Sequence, residues 1–317
     1  MALAHPRLIY GGSPIGEDYT TPEAVSDLLK LLKSLDIHEI DTAALYPATN
    51  MGASERLLGQ VGAVAQGFAV DTKILVLSKD GNGTLEHEKI EKSVAASHER
   101  LQLHGQKLNI LHCHAPDFTT PLKDQAASLD SLHKRGLFDK LGVSNFPLDM
   151  LTDFIEVCER EGYIKPTVYQ GLYNLVCRGH EQLLPTLRKH GIVFNAHSPL
   201  AGGFLSGKLT SGDIKGTRFA KESIIGTFSR AQYDKKELHD AVNTLTETLE
   251  PVNISKIEAA LRWISYHSQL GPDDGIILGA SKPHYLVQNL EAIQKGPLPK
   301  EIVSAIESVW DALSAAQ

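Results

Sequence analysis

Leu8-Ile9-Tyr10-Gly11-Gly12-Ser13-Pro14-Ile15-Gly16 is the stretch on which the fold of this sequence turns. A β-type run, Leu8–Tyr10, leads into a glycine-rich turn. A doubly wound dinucleotide-binding domain would carry G-x-G-x-x-G at that point. Here the glycines stand at 11, 12 and 16, and the spacing that seats a pyrophosphate on a helix N-terminus is missing. Gly81-Asn82-Gly83 lacks the third glycine. The open nucleotide-binding sheet is therefore disfavoured.

Outward from that turn the chain alternates between two periods. Strand-like runs follow at Glu39–Asp41, Ile74–Leu77, Leu108–Leu111, Lys140–Val143, Thr167–Tyr169, Ile192–Phe194 and Gly275–Leu278. Helical stretches lie between them. Thr21-Pro22-Glu23 reads as an N-cap with proline at the first helical position. Val25, Leu28, Leu29 and Leu32 then share one face at helical spacing, and Ile302, Ala305, Ile306, Val309 and Leu313 repeat the pattern near the C-terminus. Eight strands alternating with helices imply a parallel sheet. With no proline- or glycine-rich linker, residues 1–317 are expected to form a single α/β domain, an eight-stranded (β/α)8 TIM barrel.

Composition removes several function classes. The 317 residues are 42% hydrophobic with a net charge of −7, which argues against a nucleic-acid or anionic-membrane surface. No apolar run approaches the roughly 20 residues of a membrane span, and the N-terminus has no apolar signal core. Cys113, Cys158 and Cys177 are odd in number and widely spaced, as reduced thiols of a cytoplasmic protein would be.

Barrel active sites form at the C-terminal ends of the strands. Those ends offer Asp41 with Tyr46, Lys79, His112 and His114, Ser144 and Asn145, Gln170, and His197 with Ser198. A phenol is a poor acid at neutral pH, since its pKa is near 10. An ammonium held by a carboxylate stabilises the phenolate, and a histidine can polarise a carbonyl oxygen. Such a set suits proton delivery to an oxygen receiving a hydride. Asp41 could instead cap a helix, and Lys79 beside Asp80 could be a solvated pair. His112 and His114 could form a metal pair, but no further carboxylate or histidine stands at fitting positions, so no metal is expected. After the seventh strand, residues 200–230 are rich in glycine. They carry Lys208, Lys215, Arg218, Lys221 and Arg230 against Asp213 and Glu222, a net +3. The segment reads either as a cover over an anionic ligand or as a solvated loop.

Asp41-Thr-Ala-Ala-Leu-Tyr46 resembles the D-T-A-x-x-Y signature of the aldo-keto reductases. His114-Ala-Pro-Asp117, Gly142-Val-Ser-Asn145, Tyr169–Asn174, Ser198–Gly203 and Leu278–Ser281 follow in the order that family shows, over nearly the whole chain. The nearest branch reduces aflatoxin dialdehyde and succinic semialdehyde. The resemblance implies an oxidoreductase that transfers hydride from NADPH, with NADH as the variant cofactor, to a small aldehyde or ketone. It implies Tyr46 as acid, supported by Asp41 and by Lys79 rather than Lys73, with His114 orienting the carbonyl. Ser144, Asn145 and Gln170 would hold the nicotinamide carboxamide. His197 stands where an aromatic usually stacks under the ring, bringing a titratable group there. Ser198, Leu200, Gly202, Lys208 and Arg218 would line the pyrophosphate path, and Ser281, Lys282 and Asn289 the adenosine end. Asn109 replaces a common aspartate, and Tyr285 replaces an arginine or glutamine near the 2′-phosphate. Phe118, Phe146, Tyr173 and Phe219 are candidate pocket walls.

Three rivals compete. Gly202–Lys208 matches G-x-x-x-x-G-K, but Leu209 follows where a hydroxyl is needed for Mg²⁺. None of the nine tyrosines has a lysine four residues on, which removes the Y-x-x-x-K dehydrogenases. A cofactor-binding regulatory channel subunit keeps the same fold with little turnover, and aldehyde-dependent NADPH oxidation separates it from an enzyme. The expected partners are small molecules, neither nucleic acid nor membrane, with a homodimer as the assembly considered.

Overall fold

The computed structural model describes residues 5–78, 80–220 and 224–315. Eight parallel strands close into a barrel in sequence order. They are β1 (Arg7–Gly11), β2 (Glu39–Asp41), β3 (Ala69–Lys73), β4 (Leu108–Cys113), β5 (Phe138–Ser144), β6 (Pro166–Leu172), β7 (Val193–His197) and β8 (Gly275–Leu278). The seam is sealed by β1 on β8, with Leu8 opposite Ile276 and Tyr10 opposite Leu278. Closure leaves no free sheet edge, so backbone groups along the strands pair within the sheet.

The helix Pro22–Ser34 shows how local sequence sets an element. Thr21 is extended (φ −124°, ψ 154°) and its side chain accepts from Ala24 N. Pro22 starts the helix where its missing N–H costs nothing. Val25, Leu28, Leu29 and Leu32 are buried against the sheet. Each contributes about 1.5–3 kcal/mol of hydrophobic stabilisation, against about 1 kcal/mol for the cap. The C-terminal helix Lys300–Ala315 likewise buries Ile302, Ile306, Val309 and Leu313. Among the described residues, no helix is long and apolar enough to cross a membrane.

One strand differs from the sequence expectation. The third strand is Ala69–Lys73, not Ile74–Leu77. Ala69-Val-Asp-Thr-Lys73 alternates, with Val70 in the outer hydrophobic core and Asp71 and Lys73 buried on the opposite face. The barrel interior is polar at this place, so the rule that apolar runs mark strands points to the wrong segment. Ile74–Leu77 instead runs past the barrel rim, where Leu77 is 72% exposed.

The interior face can be read from register. Asp41 lies opposite Asp71, Lys73 opposite His112, and His112 opposite Gly142. Neighbours in register share a face, so these side chains converge inside the barrel. Gly142 is required there, because a Cβ would stand 2.2 Å from His112 Nδ1.

Candidate active site

Lys73 is the centre of the site. Its Nζ donates to both Asp41 oxygens at 2.7 Å and to Thr42 O at 2.8 Å. It also lies 4.8 Å from the centroid of the Tyr46 ring. Lys73 and Asp41 are 1% and 3% exposed, so removing either partner alone would leave an uncompensated buried charge, and neither can be lost cheaply. Burial opposes the Lys73 charge, but Asp41 and Tyr46 outweigh it and the pKa is raised. The place beside Asp41 and Tyr46 expected for the Lys79 ammonium is thus occupied by Lys73. Lys79 lies outside the described residues. The cause is the displaced strand: β3 ends at Lys73, whose side chain points inward from its last position.

Tyr46 is set by the turn after β2. Its N–H donates to Ala43 O, its carbonyl accepts from Ser54 N, and Ala44 N donates to Lys73 O. The helix Ala53–Gln60 that follows is fixed by Glu55, which accepts from Thr72 and Arg100. The Tyr46 ring is half-buried and meets the His114 ring edge to face at 5.8 Å. Burial raises the phenol pKa, and Lys73 pulls the other way. His114 lies just past β4, with Nδ1 buried and without a partner among the described residues. Burial, then Lys73 and His197, push its pKa down to about 3, so the ring is neutral at physiological pH. The two histidines of the H-x-H pair have separate environments. His112 is inside the barrel, and the fold does bring two carboxylates to it, Asp41 and Asp71. That set was invisible in the sequence because it comes from three strands.

A polar shelf adjoins these groups. Gln170 Nε2 donates to Asp41 Oδ1 at 2.8 Å, tying β6 to the central pair. Ser144, its register neighbour on β5, is buried, and Asn145 donates to His114 O. His197 ends β7 with Nδ1 3.1 Å from Ser198 Oγ. Burial, then Lys73 and His180, lower its pKa to about 4. The titratable group anticipated at this position is held neutral.

Beyond β7 the backbone takes positive φ at Ser198, Ala201, Gly202 and Gly203. A Cβ on Gly202 or Gly203 would find its nearest neighbour at 3.9 Å, so a ligand can approach this backbone closely. The segment is more ordered than a bare loop. It contains the 3-10 turn Ala201–Ser206 and helices Lys208–Ser211 and Ile224–Tyr233. Phe204 stacks on Tyr233 at 5.7 Å, and Phe219 meets both rings. Arg230 donates to Phe219 O and Ala220 O, so it braces the segment rather than facing a ligand. Arg218 is exposed, and its charge reaches Tyr46 and Asp18. Lys282, exposed before the helix Pro283–Gln294, also acts on Asp18. Lys208 is exposed, and among the described residues no interaction joins it to this group. Leu200 is half-buried, Ser281 exposed, and Asn289 buried with Leu286, Leu290 and Ile293. Of the four candidate walls only Phe118 is exposed, at 63%. Phe146 packs on Phe154, Tyr173 on Trp263 and Phe194, and Phe219 within its own segment, because each has an aromatic neighbour to fill.

Asp117 is a residue whose role the sequence motif did not reveal. It is fully buried and accepts from Leu85 N, Thr119 N and Oγ1, and Thr120 N and Oγ1. Burial opposes its charge, but these donors hold the carboxyl well below the usual range. It locks the turn after His114 onto the loop after β3.

A family profile described as the aldo/keto reductase family matches residues 7–311. "Oxidoreductase sirO" of Leptosphaeria maculans is 34% identical over 318 residues, covering 96% of this chain and 94% of that protein. "Aflatoxin B1 aldehyde reductase member 2" of Rattus norvegicus is 34% identical over 325 residues, 99% of this chain and 87% of its own. "Aldo-keto reductase family 7 member A3" of Homo sapiens is 32% identical over 324 residues, 98% and 95%.

Proposed function

The chain belongs to the aldo/keto reductase family, whose membership makes it an oxidoreductase of the carbonyl-reducing kind, and from that premise we propose that it is an NADPH-dependent reductase of aldehydes or ketones with Tyr46 as proton donor. The observation that carries this reading is the Asp41–Lys73–Tyr46 line, with Lys73 Nζ held at 2.7 Å from both carboxylate oxygens and 4.8 Å from the phenol ring centroid.

The chemistry follows from those positions. Tyr46 keeps its proton at neutral pH, since a phenol ionises only at about pH 10 and burial raises that value further. When a substrate oxygen gains negative charge it becomes a strong base, and the phenol proton moves to it. Lys73 then stabilises the phenolate left behind, while Asp41 fixes the ammonium in place. Neutral His114, across the Tyr46 ring, supplies a hydrogen bond to the same oxygen. Bound NADPH would supply the hydride. Ser144, Asn145 and Gln170 would hold its carboxamide, and the His197 ring would lie under the nicotinamide. The open backbone at Gly202 and Gly203 and the exposed charge of Arg218 fit a pyrophosphate, with Ser198, Leu200 and Lys208 along the same path. Lys282 fits a 2′-phosphate, in the company of Ser281 and Asn289.

Stopped-flow or steady-state NADPH oxidation with a panel of aliphatic and aromatic aldehydes tests the reading. Tyr46→Phe should lower turnover about a thousandfold and leave the NADPH dissociation constant within about twofold. Turnover by Tyr46→Phe at the wild-type rate would remove Tyr46 from its role.

A further inference from the structure

Beneath the Asp41–Lys73 pair the barrel holds a second buried polar set that proton transfer at Tyr46 does not use. Asp71 is fully buried on β3, two residues before Lys73 and on the same face. Its Oδ1 accepts from Asn109 Nδ2 at 2.6 Å, and its Oδ2 has no donor among the described residues. Glu39, two residues before Asp41 on β2, shares that inner face diagonally from Asp71, and its carboxyl acts to raise the Asp71 pKa. Glu39 Oε2 takes Arg7 on β1, while Oε1 is buried with no donor among the described residues. His112 on β4 has both ring nitrogens buried and unpartnered in the same sense. One atom each of Asp41, Asp71 and His112 lie within 4.8 Å of one another.

Charge counting decides what occupies this space. Three carboxyls, Glu39, Asp41 and Asp71, meet two cations, Arg7 on Glu39 and Lys73 on Asp41. A third buried anion would have no counter-ion, and such a group neutralises rather than stay charged. Two carboxyls on one inner face, each with a buried oxygen that has no donor among the described residues, are best satisfied by a proton between them, as in other acid dyads. His112 offers no positive charge, because burial, then Lys73 and His114, hold it neutral. Burial, followed by the Glu39 and Asp41 charges, pushes the Asp71 carboxyl well up, and Asn109 only partly opposes them. A divalent cation fits worse than a proton. Lys73 already holds both Asp41 oxygens and Gln170 holds one of them, so an ion there would face an ammonium across one carboxylate.

We propose that Asp71 and Glu39 share one proton through neutral pH, and that this proton makes Asp71 a positioning residue for the Lys73–Tyr46 pair. With the proton in place the space below Lys73 carries no uncompensated charge. At alkaline pH the pair releases it, and the new anion below Lys73 disfavours the Tyr46 phenolate. The effect on turnover rests on Tyr46 being the acid; the shared proton does not.

The first measurement therefore uses cofactor-free protein without substrate. Carboxyl ¹³C resonances of Asp- and Glu-labelled wild type are followed from about pH 5 to about pH 9. One buried carboxyl should stay protonated past neutrality, and its resonance should vanish in both Asp71→Asn and Glu39→Gln. Wild type alone decides this point should either variant not fold. The second measurement is the pH profile of kcat/KM. Asp71→Asn mimics the neutral acid, so turnover at neutral pH should stay within about threefold, while its alkaline limb moves down by about one pH unit. A purely structural Asp71 would lower thermal stability and leave the limb in place. The proposal is overturned by carboxyls that are all ionised at neutral pH, by an unmoved limb in folded Asp71→Asn, or by a stoichiometric metal ion in wild type that Asp71→Asn loses.

Discussion

Charge is handled in opposite ways by the barrel interior under Tyr46 and by the segment after β7. In the interior, Lys73, Asp41 and Asp71 are 1%, 3% and 0% exposed, and each charged group has a fixed partner. On the segment, Lys208, Lys215 and Arg218 are exposed and the structure is carried by Phe204, Phe219 and Tyr233. Buried charges act through a low dielectric and at fixed distance, so losing one disrupts the rest. Exposed cations act through water and salt, and their effects are graded. On the proposed function, the chemistry would use the buried charges and ligand capture the exposed ones, which can adapt.

Lys73→Met should have the largest effect. Removing the ammonium leaves Asp41 buried and unpaired, costing about 3–5 kcal/mol of stability and about a thousandfold in kcat. Lys79→Met should keep kcat within about threefold, since the ammonium at Tyr46 is already provided. Denaturant melts and steady-state rates of the two variants decide which lysine serves Tyr46.

Asp117→Ala comes next. Five donors lose one acceptor, so a loss of about 2–4 kcal/mol is expected in thermal or chemical melts. The pH dependence has a definite sign. The folded carboxyl lies below its unfolded value, so its stabilisation is present above the ordinary aspartate pKa and is lost as pH falls through the folded one.

The exposed cations should give smaller, graded effects. Arg218→Ala and Lys282→Ala should each raise KM for NADPH about tenfold with kcat nearly unchanged, and added salt should narrow the gap to wild type. Lys282→Ala should leave KM for NADH almost unmoved. An equal change for both cofactors would remove the 2′-phosphate assignment.

The smallest effect at neutral pH is expected from His197→Phe. His197 and His114 have folded pKa values near 4 and 3, below the ordinary histidine value. Each takes up a proton on unfolding, so stability is full above about pH 6.5 and declines as pH falls toward those folded values. His197→Phe should lower the midpoint of acid unfolding, and neither ring should add an inflection to activity between about pH 5 and about pH 8.

Much of this was legible in the residues. Helical spacing located the faces of Pro22–Ser34 and Lys300–Ala315, and strands β2 and β8 matched their strand-like runs residue for residue. Glycine spacing at 11, 12 and 16 disfavoured the open sheet. Asp41, Tyr46 and His114 were legible because each sits at or just past a strand end. Lys73 was not, because Ala69–Lys73 looks like a polar connection until Asp71 and Lys73 are seen to face a polar interior. Phe146, Tyr173 and Phe219 carry no mark that separates a pocket wall from core.

The sequence by itself determined the order of elements and the barrel, since periodicity and turn chemistry are local. It also determined that a phenol, a carboxylate and histidines stand near strand ends. Only the tertiary structure decided which lysine meets Asp41, that His114 and His197 are neutral, and that Asp71 and His112 share the space beneath them. Those properties depend on distance and burial across β1, β2, β3, β4 and β6. Coulomb energy and desolvation are set by spatial neighbours, and sequence separation does not encode them.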